Sequence, residues 1–242
     1  DVPALLEVSG RAADLPPMEL PVDGEPAPDR KSKVRIGVLR DRAFSFYYPE
    51  ILAALEAAGA ELCEISPLVD EALPAIDGLY AGGGFPEEYA SELAANGPLL
   101  ETLARQIDGG LPVWAECGGL MYLSRALIKD EVEHKMVGAL PIVVEQRVRP
   151  QGHGYVQGCA DRANPFLAEG TEFCGHEFHY SRLKSGHQEL PTVLSLTKGT
   201  GVGGGRDGLQ VGNTVAAYTH LHALATPSWA GGLVDAAAGC LQ

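Results

Sequence analysis

Basic residues are scarce in this chain. Its 242 residues hold 18 Lys and Arg against 32 Asp and Glu, a formal net charge of −14. A surface that acidic has little with which to neutralise phosphates, which argues against nucleic acid and anionic membranes as partners. Long apolar runs are missing too, none approaching the roughly 20 residues needed to cross a bilayer. The opening DVPALLEVSG lacks the basic-then-apolar pattern of a signal peptide, and it lacks an initiator Met, as a trimmed chain would. Cysteine is sparse: Cys63, Cys117, Cys159, Cys174 and Cys240 are scattered, odd in number and without a CxxC pair. A reduced, cytoplasmic setting fits that usage better than a disulfide framework. No GxxxxGK followed by Ser or Thr occurs, so this chain alone shows no Walker-type ATP site. Internal repeats are absent.

What is present describes an ordinary globular core, with 45 % hydrophobic and 21 % charged residues. RAADLPPMELPVDGEPAPDRKSK, residues 11–33, is rich in Pro and charge and reads as an arm. The folded domain is expected over 33–242. KVRIGVLRD reads as a buried strand, YYPEILAALEAAGA as a helix with Pro49 in its first turn and Gly59 at its stop, and ELCEIS as a strand. AIDGLYAGGGFPEEYASELAANG reads as strand, glycine turn and helix; PLLETLARQIDGG as helix; LPVWAE as strand. Strands alternating with helices predict a mostly parallel α/β sheet with helices on both faces. From about residue 136 short strands follow one another, which predicts an antiparallel extension of the same sheet.

The corner at WAECGG, residues 114–119, joins the strand LPVW to GLMYLSRALI, which reads as an amphipathic helix. A residue on such a corner is pushed out at the carboxyl edge of a parallel sheet, where these folds place ligands. The helix N-terminus favours the thiolate form of Cys117. Gly118 and Gly119 keep side chains clear, so a backbone N–H can face a developing oxyanion. A small buried cysteine is the bland alternative; the strand, the glycine pair and the helix together favour a nucleophile.

A nucleophilic Cys needs a base. The candidates are His134, His153, His176, His179, His187, His220 and His222. AAYTHLHAL offers the best setting, because Ala216, Tyr218 and His220 alternate and His220 ends a strand. Metal binding by His220 and His222 is the other reading, but no Cys, Asp or Glu cluster accompanies them. In GHEFHYS, Glu177 and His179 share a strand face, where burial is unfavourable unless they are paired or line a cleft. GGGFPEEYA brings bare backbone close to something, either an anion nest or a tight turn. Gly199, Gly201 and Gly204 match a dinucleotide spacing but do not join a strand to a helix, so a hairpin loop is the better reading.

GGGFPEEYA, WAECGGLMYLS, GHEFHYS and YTHLHAL, in that order, resemble the glutamine amidotransferase domain of the cobyrinic acid a,c-diamide synthase family over roughly residues 33–230. VPALLEVSG resembles the segment joining that domain to an N-terminal synthetase domain, which makes 1–32 a linker. The resemblance implies a flavodoxin-like class I amidotransferase fold. It implies that Cys117 attacks the side-chain amide of glutamine, that His220 is the general base, and that Gly84 and Gly118 form the oxyanion hole. It further implies no cofactor in this chain, with ATP and Mg²⁺ acting in the absent synthetase domain on a tetrapyrrole acetate. Class I enzymes usually carry Glu two residues after the histidine; His222 stands there instead. Glu177, or a backbone carbonyl, is then expected to orient His220, with His179 and His222 facing glutamine. Sirohaem or nickel-sirohydrochlorin as acceptor, a catalytically silent scaffold, and a peptidase of the same fold stay open at this point. A second copy of the chain is a further candidate partner.

Overall fold

The computed structural model describes residues 1–13 and 34–239. Val2–Ser9 form helix α1, whose N-terminal Asp1 side chain accepts from the Ala4 N–H; none of its residues is buried. Of the arm expected over 1–32, residues 14–32 lie outside the described residues.

Strands β1 (Val34–Leu39), β2 (Ala60–Ile65), β3 (Gly78–Ala81) and β4 (Val113–Glu116) run parallel, in the order β4-β3-β1-β2. Helix α2 (Pro49–Ala57) crosses between β1 and β2, and Gly59, at φ 100°, turns the chain back. A short 3₁₀ turn (Pro86–Tyr89), α3 (Ala90–Ala95) and α4 (Gly97–Asp108) cross between β3 and β4. Alternation along the strands sorts the core onto both faces of the sheet. Val34, Ile36 and Val38 pack with Ile51 and Leu55 of α2 on one face. Leu39, Leu79, Val113 and Ala115 pack with Leu99, Leu100, Leu103 and Ile107 of α4 on the other. Asn96 caps α4 by accepting from the Leu99 N–H.

After β4 comes α5 (Gly118–Leu123), and here the expected helix stops early. All six of its residues are buried, so it is no amphipathic surface helix. Ser124 leaves helical geometry (ψ 165°), and its hydroxyl donates to the Met121 and Ala126 carbonyls. SRALIK becomes strand β5 (Ser124–Lys129), which pairs with β6 (Val132–Lys135) and β7 (Leu140–Gln146). With β10 (Ser181–Ser185) these make a separate four-stranded sheet, ordered β10-β7-β5-β6; of its strands, β7 and β10 are expected from the sequence in the main sheet, and β5 in the helix.

The antiparallel extension is present beside it. Strands β8 (Gly152–Ala160), β9 (Glu172–His179), β11 (Thr192–Lys198), β12 (Arg206–Val211), β13 (Thr214–Ala217) and β14 (His220–Leu221) complete a ten-stranded sheet, β14-β9-β8-β11-β12-β13-β4-β3-β1-β2. Helix α6 (Ser228–Gly239) closes the fold, burying Trp229, Leu233, Val234 and Ala237 against the face that holds β1. One pairing positions the chemistry: β13 lies parallel to β4, with Ala217 opposite Glu116. Both strands therefore end at the same sheet edge, and the residues just after them, Cys117 and His220, emerge side by side.

Candidate active site

Cys117 stands at φ 46° and ψ −96°, one of three described non-glycine residues at positive φ. Such a backbone is unfavourable for a side chain by about 1–3 kcal/mol and persists only where its surroundings impose it. They do so here: the Cys117 N–H donates to the Ala217 carbonyl at 2.7 Å, and the Cys117 carbonyl accepts from the Met121 N–H at 3.0 Å. The thiol is held at the head of α5 and is 6 % exposed.

The glycines of the two motifs meet. A Cβ added to Gly118 would stand 2.9 Å from the Gly84 nitrogen and 3.1 Å from Pro86 Cδ. The first turn of α5 leaves its N–H groups without helical acceptors. Gly84 and Gly118 are thus in close backbone contact, and Gly118 directly follows Cys117. Gly83 serves the histidine instead. A Cβ there would stand 2.5 Å from His220 Cε1, so its hydrogen leaves room for the ring.

His220 is 5 % exposed. The edge of its ring meets Phe46 at 5.0 Å between centroids, and its face stacks on His176 at 4.8 Å with 16° between planes. Burial by itself would lower its pKa, but the close approach of Cys117 and Glu116 outweighs burial and pushes it up to about 10. His220 is therefore held toward its protonated form beside the Cys117 side chain. His176 goes the other way: burial first, then the charge of His220, hold it down to about 4, so the stacked ring is neutral.

The carboxylate beside His220 is Glu116, with Oε2 3.5 Å from Nδ1. Glu177, expected to orient His220, is committed elsewhere. On β9 the side chains alternate, so once His176 faces His220, Glu177 must face away. It accepts from the Thr200 and Gly201 N–H groups at 2.6 and 2.8 Å and lies 3.5 Å from His179 Nε2. His179 stacks on Tyr218 at 3.7 Å, and its Nδ1 meets the Ser181 carbonyl at 2.8 Å. His222 also stands apart from His220's ring nitrogens: its Nδ1 accepts from the Leu224 N–H, and its ring meets Tyr48 at 4.8 Å.

This relocation changes what a Glu177 variant should do. Glu177→Gln puts an NH₂ or an uncharged oxygen against two N–H donors in a buried site, and should destabilise by about 1–3 kcal/mol. At about 2–4 °C per kcal/mol for a chain this size, thermal unfolding should drop by several degrees. Turnover measured well below that transition should stay within about threefold of the native rate. A large loss of turnover with unchanged melting would return Glu177 to the reaction.

Asp207, fully buried, receives the Tyr218 and Thr219 N–H groups and the Thr219 hydroxyl, and so fixes the turn that delivers His220. The sequence reading passes over Asp207 and Glu116. A signal exists for Glu116: a carboxylate ending the apolar run VWAE must find partners when buried.

Residues 35–228 match the CobB/CobQ-like glutamine amidotransferase domain family. A cobyrinate a,c-diamide synthase of Magnetococcus marinus is 41 % identical over 225 residues, 90 % of this chain and 48 % of that protein. One of Methanosarcina acetivorans is 40 % identical, covering 98 % of this chain and 50 % of that protein. The chain thus spans about half the length of these relatives. Among solved structures, PurLQS of Thermotoga maritima superposes with a TM-score of 0.60 at 16 % identity, over 87 % of this chain and 100 % of that one. A structure described as a glutamine amidotransferase gives 0.58 at 17 %, over 84 % and 98 %. At such identities these two speak for the fold, which is the class I amidotransferase fold expected from the four motifs.

Proposed function

The chain belongs to the CobB/CobQ-like glutamine amidotransferase domain family, and from that premise we propose that it is the ammonia-releasing half of an ATP-dependent tetrapyrrole a,c-diamide synthase. The observation that carries the reading is the strained Cys117 at the head of α5 with the buried His220 beside it, whose pKa is raised by Cys117 and Glu116. Cys117 attacks the amide carbon of glutamine through its sulfur, forming a C–S bond. The carbonyl oxygen takes the negative charge beside the Gly84 and Gly118 backbone. His220 gives its proton to the departing nitrogen, ammonia leaves, and a glutamyl thioester remains. His220, now neutral, takes a proton from water; hydroxide attacks the thioester and releases glutamate and the thiolate. Glutamine and water become glutamate and ammonia.

Activation of the acceptor carboxylate with ATP and Mg²⁺ is assigned to the half of the full-length protein that lies outside this chain. The relatives' names support cobyrinate as the acceptor. Among the described residues no helix is long and apolar enough to cross a membrane, and the reading places the enzyme in the cytoplasm.

Two measurements test this. Glutamate release from L-glutamine by the full-length protein, together with labelling of Cys117 by a glutamine-analogue electrophile, tests the glutaminase. Amidation of cobyrinate with ATP, Mg²⁺ and glutamine tests the acceptor; transfer to sirohaem with cobyrinate left untouched would overturn that part. The pH profile gives a finer check. The active pair needs His220 protonated, so kcat/KM for glutamine should fall on the alkaline side near pH 10, the value to which His220 is raised. A limb near 6.5, the ordinary histidine value, would contradict a raised His220. Stability follows the same sign: because the folded value is raised, the contribution is complete below about pH 6.5 and is lost as pH rises through about 10.

A further inference from the structure

We propose that Glu116 is the positioning carboxylate of His220, so that the residue directly before the nucleophile completes a Cys–His–Glu arrangement. The inference rests on the Cys117–His220 chemistry proposed above and adds a member to it.

Glu116 is 1 % exposed, and its buried carboxyl group is met from several sides. Trp114 Nε1 donates to Oε1 at 2.9 Å, and the Leu221 N–H donates to the same oxygen at 3.2 Å. The Tyr80 hydroxyl donates to Oε2 at 2.9 Å. His220 Nδ1 stands 3.5 Å from that same Oε2. A carboxylate offers about four acceptor directions, so three neutral donors leave one, on the oxygen nearest the imidazole. At 3.5 Å the contact is longer than a well-formed hydrogen bond.

The strand explains how two successive residues serve one histidine. Side chains alternate along β4, so Trp114 and Glu116 point to one face of the sheet and Ala115 to the other. Tyr80 is the cross-strand neighbour of Trp114, which brings its hydroxyl to the same carboxylate. Cys117 then leaves the strand at positive φ and enters α5. Glu116 is thereby held below the sheet's carboxyl edge and Cys117 on it, with His220 reaching both. The other buried carboxylates near this ring are engaged elsewhere. Glu177 serves Thr200 and Gly201, and Asp207 serves Tyr218, Thr219 and Gly208. The Leu221 N–H bond adds a second link, because it ties Glu116 to the backbone of the residue beside His220.

The titratable groups around the imidazole are Cys117 from the head of α5, Glu116 from β4 and neutral His176 stacked from β9, with His222 beyond His176. Of these, Glu116 is the one that can hold the ring's tautomer and orientation through Nδ1.

Glu116→Gln, Glu116→Asp, Tyr80→Phe and Cys117→Ala are compared in the full-length protein by glutamate release against pH. Glu116→Gln is expected to lower kcat on the order of 10³-fold, to change KM for glutamine less than about threefold, and to move the alkaline limb down from near pH 10 by more than one unit. Glu116→Asp should recover part of both kcat and limb, since it restores the charge. Tyr80→Phe keeps the carboxylate and should leave the limb in place, which covers the case of a poorly folding Glu116→Gln. If Cys117→Ala abolishes glutamate release while Glu116→Gln or Glu116→Asp keeps the native kcat and limb, Glu116 is only structural and this inference fails alone. If Cys117→Ala keeps glutamate release, the proposed function itself fails.

Discussion

Cys117→Ala is expected to reduce glutamate release from glutamine by at least about 10⁴-fold, to the background rate. Losing the nucleophile of a triad removes the covalent route entirely, and what remains is binding and oxyanion stabilisation. In the full-length protein, free ammonia should still support amidation at close to the native rate, because it bypasses the thioester. Equal loss with both nitrogen donors would give Cys117 a structural role. The backbone adds a second readout. At φ 46° and ψ −96° the residue sits where a side chain is strained and glycine is not. Cys117→Gly should therefore be as inactive as Cys117→Ala yet unfold at a higher temperature, with the strain of about 1–3 kcal/mol released. An alanine variant at least as stable as the glycine variant would show that the corner is unstrained.

That corner is legible in the sequence because its signals are local. A buried strand, a cysteine and two glycines at a strand-to-helix junction allow few geometries. The parallel order of β1 to β4 is readable for the same reason, since helix-period and strand-period segments alternate there. Two kinds of feature are not. In SRALIK the apolar residues Ala126, Leu127 and Ile128 are consecutive and also continue a helical stripe, and short apolar runs do not distinguish strand from helix; pairing with β7, invisible in the local sequence, decides for strand. In SWAGGLVDAAAG the two adjacent glycines weaken the helical reading, and α6 forms because Trp229, Leu233 and Val234 bury against the sheet. The identity of the histidine's partner belongs to the second kind as well. Glu177 stands out because i, i+2 spacing is visible along a strand, and which face that strand turns to His220 is set by pairing with β14. Glu116 and His220 are separated by a long stretch of sequence and meet only because β13 is inserted beside β4.

Gly119→Ala is expected to be strongly destabilising. The added carbon would stand 2.0 Å from the Ala81 carbonyl oxygen, 2.7 Å from its carbon and 2.9 Å from Ala81 Cβ. Two of these atoms are backbone at the end of β3, so no rotamer change relieves the clash. The Gly119 N–H also donates to the Gly82 carbonyl at 3.0 Å, a bond that ties α5 to the glycine turn. Separating them strains that bond and lifts α5, whose six residues are all buried, out of a packed core. Overpacking of this kind typically amounts to about 1–3 kcal/mol, and occasionally more; backbone against backbone places Gly119→Ala at the upper end, about 3 kcal/mol. Thermal unfolding should fall by about 10 °C on that scale. Gly231→Ala is the matched control. It lies inside α6 with open space around the added carbon, and should raise stability by roughly 0.5–1 kcal/mol through helix propensity. The site couples the two readouts, because α5 follows directly on Cys117 and, in the proposed function, supplies one wall of the oxyanion pocket: Gly119→Ala should lose kcat at temperatures where it is still folded, whereas Gly231→Ala should not. A Gly119→Ala protein that melts within about 1 °C of native would mean that α5 and β3 do not approach as closely as these distances require.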